Sequence, residues 1–382
     1  MKYLAALNGL RGFAFLQVIA DHYLYTKCIL EIGQFGVTMF FVLSSYLLTL
    51  QLYESYIEKN NMNVINYFIK RFFRIYPCLT IALVVDCFIV RRITFYEAWN
   101  VYLLTGLIDL YWAIYIEMRW YVLIPVVAFI YAKIKNYYIK FGSMIAITIA
   151  SLMWHYYMNF LDDNPINIRS NKMEKFGLET NFIFLKYSPI FLIASFVAII
   201  YYHINKAGYS SSLQKYGALQ GLFILLMVTG HIAAIKYKCD TGYDAFYGIA
   251  MENYFILYGL GYCVVVLLLN GNNFMTEFFE LKVMVLLGDI SFPAYLFHLA
   301  IRVFANKTLN LDMRFYTLTS CFFITLIISY YIHITFEVYF INLSKKWCYF
   351  KNENTLHEEK EIERTNVDSY TKVELSKSVN SN

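Results

Sequence analysis

The sequence predicts an all-α fold, a polytopic transmembrane helix bundle of about ten spans plus one short re-entrant segment. Three observations predict it. The 382 residues are 59% hydrophobic and only 15% charged, against about 45–50% and about 25% in soluble domains. The excess is gathered into runs of about 20 residues, the length that crosses a hydrocarbon core of about 30 Å. The runs are continuous rather than alternating, which excludes an outer-membrane barrel.

Taken in order, the runs fall at 8–30, 35–53, 73–90, 118–132, 142–160, 182–203, 216–235, 246–269, 283–305 and 315–341. The stretch 96–111 is shorter and carries Glu97 and Asp109, so it reads as re-entrant or interfacial. The first run holds Arg11 and His22 and lacks an A-x-A site, so it reads as a retained span rather than a cleaved leader. Residues 1–345 form the transmembrane domain. Residues 346–382 are rich in Glu, Lys, Ser and Asn and read as a disordered tail. An even number of spans puts both termini on one side. Lys70, Arg71, Arg74, Lys133, Lys135, Lys140, Lys206, Lys215, Lys345 and Lys346 make that side the cytoplasm of a cell membrane.

The net charge of +5 is spread over loops, with no stripe for nucleic acid. Seven cysteines are scattered without a paired spacing, so neither a disulfide framework nor a zinc site is expected. No HExxH-like spacing occurs, and no metal is expected.

Polar groups in lipid are costly and ask for a reason. In the first span Arg11 and His22 are eleven residues apart. At about 100° and about 1.5 Å per residue they share a helix face and stand about 16 Å apart. Arginine offers a planar, permanently charged fork for phosphate, and histidine a titratable nitrogen for proton transfer. A ligand with phosphates at one end and a reactive centre at the other, such as a coenzyme A thioester, fits the pair. The plainer reading is a snorkelling arginine and a histidine bonded to a neighbouring helix. Asp21 lies beside His22 but about 100° around the helix, a minor substrate-binding candidate. In FIKRFFRIYP, residues 68–77, Arg71 and Arg74 share a face as a second phosphate clamp or as positive-inside anchors, and Pro77 bends or starts the next span. Glu117 reads either as a charge at the start of an apolar helix, or as the group that orients a histidine or takes a proton from an acceptor hydroxyl. Tyr121, Ser291 and His298 complete the substrate-side candidates, each also readable as a satisfied bundle residue.

Together these segments resemble acyltransferase family 3, membrane proteins that include bacterial O-acetyltransferases of surface polysaccharides. The similar residues are Leu10, Arg11, Gly12 and His22; Gly36 to Ser44; Arg71, Arg74, Ile75 and Pro77; Trp112, Glu117, Tyr121 and Pro125; and Leu287, Gly288, Ile290, Ser291, Tyr295, Leu296 and His298. They run in the family's order over residues 7 to about 340. Ser45 stands where the family usually has Gly, Ala113–Ile114 where Ser–Leu is common, and Tyr339 where Pro often follows the last Glu. The resemblance implies acyl-CoA delivered from the cytoplasm, acetyl-CoA by default, and transfer to an acceptor on the outer side. It places Arg11 at the coenzyme and His22 at the chemistry, with Arg71, Arg74 and Glu117 in support. The hydrolase-like domain of some members is not in this sequence, so acceptor recognition is expected from the membrane domain and its loops.

The expected activity is therefore transfer of an acyl group from acyl-CoA to a hydroxyl of a cell-surface or lipid-linked glycan. His22 acts as general base or takes the acyl group first, Glu117 holds its tautomer, and Arg11, Arg71 and Arg74 neutralise phosphate. The rival from another class is a glycan or small-anion transporter or flippase, against which stands the lack of internal repeats or paired interrupted helices. A non-catalytic membrane scaffold is the second rival.

Overall fold

The computed structural model describes residues 2–23, 32–106, 108–163, 178–209, 259, 261, 274–309 and 315–348. Among them there is no strand. The helices are α1 (Lys2–Tyr23), α2 (Ile32–Lys59), α3 (Val64–Val84), α4 (Phe95–Tyr102), α5 (Trp112–Lys133), α6 (Tyr137–Asp163), α7 (Leu178–Lys206), α8 (Phe274–Phe279), α9 (Lys282–Lys307) and α10 (Phe315–Ile332). Single π-helical turns extend α3 over Val85–Ile89 and α10 over His333–Glu337.

Seven described helices are long and apolar enough to cross a membrane: Phe35–Lys59, Val64–Ile89, Trp112–Lys133, Tyr137–His155, Phe184–Lys206, Lys282–Lys307 and Tyr316–Cys348. Each falls on an expected span. The more polar α1 lies on the expected first span and is described from Lys2 to Tyr23. The expected spans 216–235 and 246–269, apart from Gly259 and Gly261, lie outside the described residues, as does the tail beyond 348. Two expectations need correction. The third span begins at Val64 rather than near 73, so Arg71 lies inside α3 and not ahead of it, and Pro77 sits within the helix and does not start it. Glu117 lies in the second turn of α5, not at its start, and makes no cap. The stretch 96–111 is α4, a turn, and a 3₁₀ turn at Asp109–Tyr111. Thr94 starts α4 with a reciprocal capping box to Glu97. Hydrogen bonds from Thr94, backbone first and then side chain, hold the Glu97 carboxyl below the usual carboxylate range.

By contacts the chain forms two compact units, residues 1–62 with 79–333 and residues 63–78 with 334–382. In the first unit α1 packs against α2 and α9, α2 against α5 and α7, α7 against α6, and α9 against α10. The most apolar stretch of α2 is 83% buried and that of α6 only 11%, so α2 is core and α6 turns its apolar face outward. Ile145, Ile147, Ile149 and Met153 on α6 are exposed, as lipid permits and water would not.

Lipid tails are as apolar as leucine, so close packing and interhelical hydrogen bonds hold such helices together. The α1–α9 crossing shows both. A Cβ on Gly288 would lie 1.9 Å from the Asn8 carbonyl oxygen, and one on Gly12 would lie 2.4 Å from that of Met284. Asn8 Nδ2 donates to Asp289 Oδ1 at 2.7 Å and to the Val285 carbonyl at 3.2 Å. At both positions the nearest obstructing atom is a backbone carbonyl oxygen, which cannot swing away as a side chain can. Gly288→Val is therefore expected to destabilise the fold by at least about 3 kcal/mol, the upper end of ordinary overpacking, read as a drop in the thermal midpoint of purified protein.

In the second unit Phe73 of α3 stacks on Phe340 with centroids 6.2 Å apart. The Cys348 thiol lies 4.0 Å from the Asn66 carbonyl. Glu337 is buried in its π-helical turn.

Candidate active site

The site forms at the last described turn of α1. Arg302 of α9 reaches it, Nη1 donating to the His22 carbonyl at 2.6 Å. One residue on, the Tyr23 hydroxyl donates to the His298 carbonyl at 2.7 Å and lies 3.0 Å from Thr325 Oγ1 of α10. Phe15, Ile19, Tyr23, Ala294, Leu318 and Cys321 pack an apolar wall beneath this clasp. The clasp fixes the two backbones and sets the His22 and His298 imidazoles face to face, centroids 4.9 Å apart and planes tilted by 37°. His22 is half-buried, whereas His298 is fully buried.

A buried ion pair lies near the same end. The π-helical turn after α3 carries Asp86, fully buried, whose Oδ2 accepts from Arg92 and, at 2.6 Å, from the Tyr111 hydroxyl. The Arg92 amide donates to the Asp86 carbonyl at 2.8 Å, closing the turn. Next to Tyr111, the Leu110 carbonyl accepts the Tyr295 hydroxyl at 2.6 Å. Tyr295 sits three residues before His298, so the 86–111 segment braces the histidine pair. Single π turns often mark functional sites, because one extra residue re-aims a side chain.

The other candidates divide clearly. Arg11 lies on the unbroken α1, about 16 Å below His22, and is half-buried. Asp21 faces α2: a Cβ on Gly33 would lie 2.9 Å from its Oδ2. Glu117 accepts hydrogen bonds from Ser44 of α2 and from Tyr121, one turn along α5. Its carboxylate thus organises a hydroxyl cluster between α2 and α5, and no hydrogen bond joins it to His22. Ser291, fully buried, donates to the Gly288 carbonyl of its own helix at 2.7 Å. Arg71 and Arg74 belong to the second unit, where Arg74 and Glu337 both lie within electrostatic reach of Cys78. An apolar groove of about 630 Å³ between α3, α9 and α10 is lined by residues such as Ile81, Val85, Phe297, Ile301 and Ile324, with no histidine or carboxylate in its lining.

Sequence reasoning did not single out Asn8, Tyr23, Asp86, Asp289 or Arg302. A signal existed for two of them. Asp86 and Arg302 are charges inside apolar runs, which by itself asks for a partner.

The sequence has counterparts among known proteins. The profile of the acyltransferase domain matches residues 4–334. A protein of Staphylococcus aureus strain COL, provisionally named an O-acetyltransferase, is 24% identical over 341 residues, covering 80% of this chain and 52% of its own length. Its counterpart in strain N315 matches equally. The peptidoglycan O-acetyltransferase OatA of Listeria monocytogenes serovar 1/2a is 24% identical over 183 residues, 40% of this chain and 29% of its own. The chain spans about half the length of the Staphylococcus relatives it matches. No solved structure matches. A profile match running from the foot of α1 to the π turn after α10 embraces the arginine–histidine helix and its α9 partner, and so the chain belongs to acyltransferase family 3.

Proposed function

We propose that the chain is a membrane-bound O-acyltransferase. It moves an acyl group, acetyl by default, from acyl-CoA on the cytoplasmic side to a hydroxyl of a cell-surface or lipid-linked glycan. The observation that carries this reading is α1 itself. One unbroken helix holds a guanidinium and an imidazole on one face, about 16 Å apart, both half-buried and not exposed. The imidazole end meets a second histidine.

In this reading both termini are cytoplasmic. Arg11 binds the phosphates of the coenzyme, and Arg71 and Arg74 are further cofactor-binding candidates. The pantetheine arm lies along α1 and brings the thioester to His22. The acceptor hydroxyl attacks the carbonyl carbon, and its proton passes to His22. The carbon–sulfur bond breaks, and the thiolate leaves as the free thiol once it takes up that proton. Asp21 and Tyr121 serve the acceptor side, and Glu117 keeps the α2–α5 hydroxyl cluster in register. The relatives' names support acetyl as the group carried.

The test is protein reconstituted in vesicles, supplied with acetyl-CoA and a glycan acceptor. Thiol release is expected in a one-to-one ratio with ester formed. Movement of glycan across the bilayer without thiol release would replace the enzyme reading with a transporter. Arg11→Ala is expected to raise the KM for acetyl-CoA by about tenfold or more, the loss of one charge-assisted contact of about 1.5–3 kcal/mol, with a smaller change in kcat.

A further inference from the structure

We propose that His298 is the positioning residue for His22: its Nε2 accepts the N–H of the His22 imidazole and so fixes which nitrogen of His22 faces the substrate. The inference rests on the acyl-transfer reading but assigns a role that the family motif alone does not.

The tautomer of His298 follows from its contacts. Nδ1 lies 2.6 Å from the Tyr295 carbonyl. A carbonyl can only accept, so Nδ1 carries the hydrogen. In the neutral ring Nε2 is then a bare lone pair. It is fully buried and has no hydrogen-bond partner among the described residues. Leaving such an acceptor unsatisfied costs about 1–3 kcal/mol, so the working state should supply a donor.

Arg92 lies within electrostatic reach of His298 and pairs with Asp86. The neighbouring rings are His22 at 4.9 Å, Tyr295 at 5.8 Å and Tyr23 at 6.4 Å between centroids. Tyr295 spends its hydroxyl on the Leu110 carbonyl, and Tyr23 spends its hydroxyl on the His298 carbonyl. Solvent and substrate cannot reach a ring with no exposed surface. Of these rings His22 is the nearest, and its imidazole N–H is the donor assigned here. The Arg302 and Tyr23 clasps hold both backbones, so only a rotation of the His22 side chain is needed to close the gap. Catalytic hydrogen bonds often tighten in this way when substrate binds.

With one His22 nitrogen engaged as a donor, the other is unprotonated and turned toward the acceptor. It takes the hydroxyl proton as the new oxygen–carbon bond forms and gives it to the sulfur as the thioester breaks. His298 keeps its own proton throughout. Its place in the logic is that of the third member of a nucleophile–base–orienter series.

The test compares two variants that both keep a polar side chain. His298→Asn keeps a donor for the Tyr295 carbonyl but has nothing at the Nε2 position. His298→Gln can place an amide oxygen there. The expected result is a fall in kcat of about 10²- to 10⁴-fold for His298→Asn, with the KM for acetyl-CoA within about twofold, and recovery of at least tenfold in His298→Gln. In parallel, ¹⁵N spectra of histidine-labelled protein are expected to show one neutral His22 tautomer in the wild type and a mixture in His298→Asn. Equal kcat for wild type and His298→Asn, or an unchanged His22 tautomer, would overturn the proposal. If wild-type protein releases no thiol at all, the acyl-transfer reading fails, and the ¹⁵N comparison still decides whether His298 sets the tautomer.

Discussion

Replacing His22 by alanine is expected to reduce acyl transfer by about 10²- to 10⁴-fold, the usual worth of a positioned general acid–base group, while leaving the fold intact. The second half of that statement follows from the way α1 is anchored. Arg302 holds the backbone carbonyl of residue 22, not its side chain. Tyr23, the next residue, makes the clasp to α9 and lies against α10. Alanine keeps all of these and has a high helix propensity. The imidazole itself is half-buried against His298, so its removal opens little core. The measurement is thiol release from acetyl-CoA by purified variant, with thermal midpoint and gel-filtration profile as controls. A folded variant with full activity would remove His22 from the chemistry.

The second large effect belongs to Asp86. Replacing it by alanine removes the carboxylate that accepts from Arg92, whose side chain is only 8% exposed, and from the buried hydroxyl of Tyr111. Removing one partner of a buried pair costs about 3–5 kcal/mol, because the remaining charge stays desolvated. The loss should appear as a lowered thermal midpoint. Activity should fall too, since the neighbouring Leu110 carbonyl holds Tyr295, three residues from His298. The double variant Asp86→Leu with Arg92→Met removes both charges and is expected to recover most of the stability, as apolar replacements of buried pairs often do. A double-mutant cycle that shows no coupling would mean the pair contributes nothing to the braced segment.

How much of this was legible beforehand depended on range. Spans were legible because lipid demands long apolar runs, and seven described helices fall on such runs. Helix starts were less so. The lead-in VINYFIK to α3 mixes polar and apolar residues, so the run looked shorter than the helix that begins at Val64. The arginine–histidine face of α1 was legible because both residues lie on one helix and periodicity alone relates them. The pairing of Glu117 with Tyr121 is likewise a one-turn relation, but its bond to Ser44 crosses to another helix 73 positions away.

The histidine pair shows the limit. His22 and His298 were each candidates, yet nothing local relates residues 276 positions apart. Their meeting depends on the α1–α9 crossing, which Gly12 and Gly288 permit and Asn8–Asp289 registers. Arg302, a charge inside the 283–305 run, holds the His22 carbonyl only because α1 and α9 meet. The π-helical turn that aims Asp86 has no local signature, because its extra residue is accommodated by tertiary contacts to Arg92 and Tyr111.

Mass spectrometry of surface and lipid-linked glycans from cells with and without the gene tests the central claim most directly. The account predicts that glycans from cells carrying it are heavier by one acyl unit per modified sugar, and that a chromosomal His22→Ala change returns them to the mass seen without it. Identical glycan masses in all three strains, with the protein present in the membrane, would contradict the account.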